Sequence, residues 1–524
     1  MTEEKRNILG LRKISRSQNE SSRAKTVLSE GEVSVDTSRE EKPFTALPAV
    51  PARQAGELLK SEDGRALRKP SIFKKTAEAP AYALEKTVEL GGKAARSLPT
   101  AGTMRTIQKG KDYWHMLGPG LTTGASDDDP SGIATYSQTG ARYGFQLLWL
   151  SIFTFPLMAL VQEMCARIGL VTGRGLAGNI RIFFPKKVLY LCAFLLFVAN
   201  SFNIGADLGA MAKGVQLLRP DIGFPLLVIG FAVFSLLLQI FTPYARYAKY
   251  LKWLALVLMA YVFSALLAHL DWSDVVRHSI MPSISFSKDQ ILLICAIFGT
   301  TISPYLFFWQ TSQEVEEQIQ QGMTSIQSRR GTNDKEIKKM RIDVWSGMFL
   351  SNAVMFFIIA ACGAILFTHG ITNITTASQA AEALRPFAGE ATYFLFAVGI
   401  IGVGLLAIPV LAGSSSYAIA ESLGWKQGLN TKLRQSYAFY GMIIISMLVG
   451  LGMNFIGLDP IKALIYAAVA NGIVAPVVLL LIVLISSNKR VMGDWVNHRS
   501  TTAFGWFITI LNGVVGIAAI YSLL

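Results

Sequence analysis

An all-α polytopic membrane protein is the fold class this sequence predicts, with about eleven transmembrane helices in an inverted five-plus-five repeat and helices one and six unwound at the midplane. Three observations predict it. Of 524 residues, 52% are hydrophobic and 16% charged, where soluble proteins carry roughly 25% charged residues. From Trp114 onward the chain runs as apolar segments, most of them near the ~20 residues that span a bilayer. The first and sixth of these segments, five apart, are interrupted by Gly, Pro and polar residues. Interrupted spans at corresponding places in two halves point to inverted repeats with a site between them.

Residues 1–111 contain no apolar run of spanning length and are rich in Ser, Lys, Arg, Glu, Ala and Pro, so they are expected to form a disordered basic tail. Glu57 to Lys69 is the one stretch there with the pattern of a short surface helix. Lys and Arg number 22 against 15 Asp and Glu over residues 1–112, which places about half of the net charge of +14 in the tail. The rest, 112–524, is expected to be the transmembrane domain, with repeat one over about 112–272, repeat two over about 286–486 and an extra helix over about 503–523. Its expected spans are 117–139, 145–170, 186–216, 223–242, 249–270, 288–315, 345–368, 389–423, 435–455, 460–486 and 503–523. Arg174, Arg181, Lys186 and Lys187, then Arg329 to Arg341, then Lys426 to Arg434, and finally Lys489 and Arg490 all fall in alternate loops on one side. By the positive-inside rule that side is cytoplasmic, with the amino terminus inside and the carboxyl terminus outside a cell membrane.

The first interruption reads Gly124-Ala-Ser-Asp-Asp-Asp-Pro-Ser-Gly132. Pro130 lacks an N–H and Gly132 tolerates non-helical dihedrals, so the helix is expected to break there. Asp127, Asp128 and Asp129 beside freed carbonyls make a cation site, since ionisable groups at that depth are costly without a function. The sixth span carries Gly299, Thr300, Thr301, Ser303 and Pro304 inside Cys295 to Gln310. Its interruption offers hydroxyl and carbonyl oxygens.

Other chemistries find little support. Cys165, Cys192, Cys295 and Cys362 lie in apolar stretches without CxxC spacing and read as core residues. The five histidines are scattered and form no zinc motif, and no nucleophile–base pair supports an enzyme. The positive charge follows membrane topology and does not call for nucleic acid. The expected partners are a divalent ion and the lipid bilayer, with a monomer the simplest oligomeric state and no cofactor.

Gly118-Pro-Gly, Asp129-Pro130, Ala166-Arg-Ile-Gly-Leu-Val-Thr-Gly-Arg174, Ala206-Asp207 and Ala412-Gly-Ser-Ser-Ser416 resemble the natural resistance-associated macrophage protein (NRAMP) divalent-metal transporters over roughly residues 112–523. The resemblance implies the LeuT-type fold. It also shows departures. Where transition-metal members carry Asp-Pro-Gly-Asn, this chain has Asp129-Pro130-Ser131-Gly132, and where they carry Met-Pro-His it has Ser303-Pro304-Tyr305. A second family histidine falls near Trp309 or Gln310, and an acid of proton-coupled members falls on Ala210. This pattern resembles the NRAMP-related magnesium transporters of prokaryotes.

Ligand chemistry agrees with that branch. A thioether selects transition ions, whereas oxygen ligands suit Mg²⁺ and Mn²⁺, and Mg²⁺ keeps several waters while binding one or two carboxylates. The expected metal residues are Asp129, Gly132, Thr300 and Ser303, with Gly132 and Ser303 leaving room for water. Asp127, Asp128, Asn203, Asp207 and Tyr305 are expected along the ion path or around the ligands. Asp127 and Asp128 either draw cations toward the site or cap a half-helix end. Asn200 and Asn471 are further polar candidates, Asn471 equally as a helix–helix bond. Glu163 is expected to pair with Arg167 one turn on, and Glu314, Glu316 and Glu317 to form a solvated helix end. The function expected is alternating-access uptake of Mg²⁺, and of Mn²⁺, without proton coupling. A proton-coupled Mn²⁺/Fe²⁺ symporter, a Na⁺-coupled amino-acid carrier and a metal-sensing receptor are the alternatives.

Overall fold

The computed structural model describes residues 112–523, apart from 268–269, 286, 375 and 457–459. The expected tail and its short helix at Glu57 to Lys69 lie outside the described residues. Every regular element among the described residues is helical. In chain order the α-helices of eight or more residues are α1 (Pro119–Asp127), α2 (Pro130–Tyr143), α3 (Trp149–Thr172), α4 (Leu176–Phe183), α5 (Lys186–Leu218) and α6 (Phe224–Phe241). Then come α7 (Tyr244–Leu254), α8 (Met259–Leu267), α9 (Trp272–Ile280), α10 (Lys288–Thr301) and α11 (Pro304–Gln320). The last are α12 (Asp334–Cys362), α13 (Ala377–Leu423, broken at Gly389, φ 81°), α14 (Tyr437–Met453), α15 (Pro460–Ser486) and α16 (Arg499–Leu523).

Seven helices among the described residues are long and apolar enough to cross a membrane singly, when α10 and α11 are taken through their break, and an eighth follows if Val474–Ser486 and the bent Lys489–Trp495 are one span. Other expected spans correspond to shorter pieces: α1 with α2, α14, and α7 with α8 joined by a 3-10 turn at Ala255–Leu258. Helix α6 has a mean hydropathy of 2.4 over a window of which only 22% is buried. Its buried residues, Val228, Ala232, Ser235 and Gln239, lie on one stripe, and a helix apolar on its remaining, exposed faces fits a lipid-facing position at the edge of the bundle.

Both interruptions are narrower than the sequence predicts. The first is confined to Asp128 (φ −84°, ψ 51°) and Asp129 (φ −63°, ψ 167°), because Pro130 at the first helical position restarts the helix at once. Gly132 is therefore helical within α2, a correction to the expected break there. The second is confined to Ile302 (φ −109°, ψ 60°) and Ser303 (φ −86°, ψ 131°), with Pro304 restarting α11 in the same way. Gly299, Thr300 and Thr301 remain in α10.

Close backbone contact fixes α1 against α12. A Cβ on Gly120 would lie 2.5 Å from Val344 N, one on Gly124 2.2 Å from Gly347 O, and one on Gly347 2.1 Å from Gly120 O. Only hydrogens fit between these chains. Small residues four apart allow membrane helices to approach in this way. Asp343 of α12 adds an electrostatic clamp, accepting from Gly118 N and Gly120 N at 2.7 Å and from Leu121 N at 3.0 Å. A carboxylate there satisfies orphan N–H groups and complements the helix dipole. The four cysteines are buried and free.

Candidate functional site

The site is built where the two breaks put backbone ends and side-chain oxygens into the same interior. Asp129 caps α2: Gly132 N donates to its Oδ1 at 2.7 Å, and the Ser131 hydroxyl donates to the same oxygen at 2.6 Å. Asp before Pro at the first helical position is a helix-start signature; the expectation from sequence assigns Asp129 a ligand role only and offers capping for Asp127 and Asp128, whereas the cap is Asp129. The space a side chain at Gly132 would enter is bounded by Asp127 O at 3.4 Å and by Asp129 Oδ1 and the Tyr136 hydroxyl at 3.5 Å. A methyl group there would sit in ordinary contact with all three oxygens, and glycine leaves that volume unfilled.

The second break supplies neutral oxygens. The Ser303 hydroxyl donates back to Gly299 O at 2.7 Å and Thr300 O at 2.8 Å, covering carbonyls freed at the end of α10. The Thr300 hydroxyl donates to Ile297 O at 3.1 Å. Their protons point into their own helix, which leaves hydroxyl lone pairs as the acceptor side. The Thr301 hydroxyl is buried without a partner among the described residues. The Tyr305 hydroxyl donates to Ser126 O at 3.1 Å, joining α11 just after the second break to α1 just before the first.

Asp127 and Asp128 are buried and turn toward α12. The Ser351 hydroxyl lies 2.9 Å from Asp127 Oδ2 and 3.4 Å from Asp128 Oδ1, while Asp127 Oδ1 and Asp128 Oδ2 have no partner among the described residues. Asp207, in the middle of α5, is fully buried, and neither of its carboxylate oxygens has a partner among the described residues. Unpartnered buried carboxylate oxygens call for a proton or a cation. Asn203 lies one turn before Asp207, also buried. Asn200 instead joins α5 to α13, its amide donating to Leu411 O at 3.1 Å, Ser414 Oγ at 3.0 Å and Ser415 Oγ at 2.9 Å. Asn471 is buried with its Oδ1 unpartnered among the described residues. Among the described residues no three His, Cys, Asp or Glu side chains converge on one point. A cation here would be held by at most two of these carboxylates, with carbonyls, hydroxyls and water completing the shell.

Two expectations are corrected. Glu163 does not pair with Arg167; its Oε1 accepts from Arg341 at 2.9 and 3.0 Å and its Oε2 from Trp345 Nε1 at 2.8 Å. The fork of a facing helix outcompetes a same-helix arginine, and Arg167 turns to Asn497. Glu314 and Glu316 are not a solvated helix end but buried. Gln310 donates to Glu314 at 2.9 Å, and Glu316 accepts from the Tyr417 hydroxyl at 2.6 Å, Leu429 N at 2.9 Å and Asn430 Nδ2 at 2.7 Å. Sequence reasoning missed Asp343, Ser351 and Tyr136, whose roles depend on a neighbouring helix or on a space beside Gly132. The Gly120-to-Gly124 spacing was a signal for the first of these contacts.

The model of the family described as natural resistance-associated macrophage protein-like matches residues 120–522. The chain is 26% identical over 422 residues to the divalent metal cation transporter MntH of Caldanaerobacter subterraneus subsp. tengcongensis, covering 77% of this chain and 93% of that protein. It is 25% identical over 403 residues to MntH of Klebsiella pneumoniae subsp. pneumoniae, covering 76% and 91%. Among solved structures it is similar to the Eremococcus coleocola manganese transporter in complex with an aromatic bis-isothiourea substituted compound, with a TM-score of 0.59 and 19% identity over 79% of this chain and 87% of that one. That likeness gives the fold.

Proposed function

From a chain that belongs to the natural resistance-associated macrophage protein-like family, we propose divalent-cation transport, with Mg²⁺ as the main cargo and Mn²⁺ carried as well, by alternating access and without proton coupling. Members of this family are transporters and not enzymes, so no residue is assigned a catalytic role. In this reading the ion is partly hydrated. Asp129 is its charged ligand, the open space at Gly132 holds water, and Thr300, Ser303 and nearby carbonyls complete the oxygen shell. Asp127, Asp128, Asn203, Asp207 and Tyr305 line or support the path. Repeat one runs over about 112–272 and repeat two over about 286–486, with the tail cytoplasmic and the carboxyl terminus outside.

The observation that carries the choice of Mg²⁺ is the donor set at the two breaks. Oxygen atoms of Asp127, Asp129 and Tyr136 surround the space at Gly132, and the second break offers the hydroxyls of Thr300 and Ser303 without thioether or imidazole. Hard oxygen donors do not discriminate against a hard, reluctantly dehydrated ion. A second reading, proton-coupled Mn²⁺ transport, draws on the unpartnered buried carboxylate of Asp207 and on the manganese named for the structural relative.

Proteoliposomes containing the full chain and an internal pH dye separate the two. Mg²⁺ entry without acidification is the expected result. Mn²⁺ entry with acidification and no Mg²⁺ entry would replace the first reading with the second.

A further inference from the structure

A cavity lies apart from both breaks, where the turn after α3 meets α4, α11 and the end of α13. It encloses about 540 Å³, and its charged lining is Arg174, Arg181, Lys186 and Arg329 with Glu316 and Glu421. Both acids are already satisfied within the protein. Glu316 takes the donors described above, and Glu421 accepts from Gly178 N at 2.8 Å and from Gln427 Nε2 at 2.6 Å. Arg329 is likewise committed, donating to Gly173 O at 3.2 Å, Met323 O at 2.9 Å and Thr324 O at 2.8 Å. Among the described residues, the guanidinium groups of Arg174 and Arg181 and the ammonium of Lys186 make no hydrogen bond or ion pair.

A separate observation points the same way. Ser312 of α11 lines this cavity with a buried hydroxyl, the residue only 2% exposed, that has no partner among the described residues. Buried polar groups are normally paired, and three cations without a hydrogen bond, of which Arg174 lies in the field of Glu421, beside an unpartnered hydroxyl donor make the complement of an anion. Guanidinium groups match phosphate oxygens with two parallel bonds, and basic pockets between membrane helices hold phosphate head groups.

We propose that this cavity binds a phosphate-bearing anion, held by Arg174, Arg181, Lys186 and the Ser312 hydroxyl. The anion bridges α11, the half-helix that follows the second break, to α4 and to the end of α13. Its source is either free phosphate or the headgroup of an anionic lipid at the basic end of the bundle.

The test is thermal unfolding of the full chain in neutral detergent, titrated separately with inorganic phosphate and with short-chain phosphatidylglycerol, against potassium chloride of matched ionic strength. A saturable rise in melting temperature beyond the chloride control is expected with one of the two probes. Arg174→Gln/Arg181→Gln should weaken its half-saturation by about tenfold or more, since each basic group contributes to the attraction. A response to inorganic phosphate assigns the free anion, and a response to phosphatidylglycerol alone assigns the lipid. If the double variant does not purify, Lys186→Gln, with its exposed side chain, is expected to show a smaller loss in the same direction. No rise beyond chloride with either probe, or an unchanged half-saturation in the variants, would overturn the proposal.

Discussion

At the first break, the half-helix α1 is clamped: Gly120 and Gly124 meet the α12 backbone around Gly347 with no room for a methyl group, and Asp343 takes three of its N-terminal N–H groups. At the second break, Gly299 in α10 would gain a Cβ with no heavy atom within 4 Å, and the freed carbonyls are covered from within by Ser303. The first break carries three carboxylates, and the second carries hydroxyls only. Charge is placed where neighbouring backbone fixes the helix, and neutral oxygens where local bonds suffice. A buried carboxylate needs a defined partner geometry to offset its desolvation, whereas a hydroxyl finds a carbonyl one turn away in any helix.

Three substitutions test that contrast, beginning with the largest effect. Gly347→Val forces a side chain into the Gly120 backbone and should destabilise the protein by roughly 3 kcal/mol, read as a large fall in melting temperature or loss of folded material in detergent. A variant melting like wild type would remove the clamp from this account. Asp343→Asn keeps the shape but halves the acceptors facing Gly118, Gly120 and Leu121, and should cost roughly 2 kcal/mol in the same assay. Equal stability would mean that the dipole and orphan N–H groups are served by water. Gly299→Ala at the second break should stay within about 1 kcal/mol of wild type, on the stabilising side because alanine is the better helix former. A fall as large as that of Gly347→Val would show the two breaks to be equally packed.

Particular residues show how far the sequence reaches. Pro130 and Pro304 marked both breaks, because proline at a helix start acts through its own ring and missing N–H. The same local logic overextended them, since nothing in the sequence says that Gly132 and Gly299 stay helical once a proline has restarted the chain. The Asp129 cap is local to Asp129-Pro130-Ser131-Gly132, yet the expectation from sequence offers capping only for Asp127 and Asp128. Glu163 shows the opposite case: Arg167 is a helical turn away, yet the partner is Arg341, 178 positions later. Glu316 was read as solvated from its polar neighbours, but it is enclosed by Tyr417, Leu429 and Asn430 from distant segments. Pairing across helices depends on packing, which one-dimensional spacing does not contain.

Asp129 holds both roles at once, helix cap and proposed charged ligand, and Asp129→Asn separates them. Asparagine caps a helix start as well as aspartate does, so the variant should melt within about 1 kcal/mol of wild type. It lacks the charge a divalent ion needs. Mg²⁺ uptake into proteoliposomes by Asp129→Asn, compared with wild type at equal protein content, is therefore the most direct test. A fall of about 100-fold with the fold intact is expected. Uptake at the wild-type rate would show that Asp129 only caps α2 and that the cation is held elsewhere.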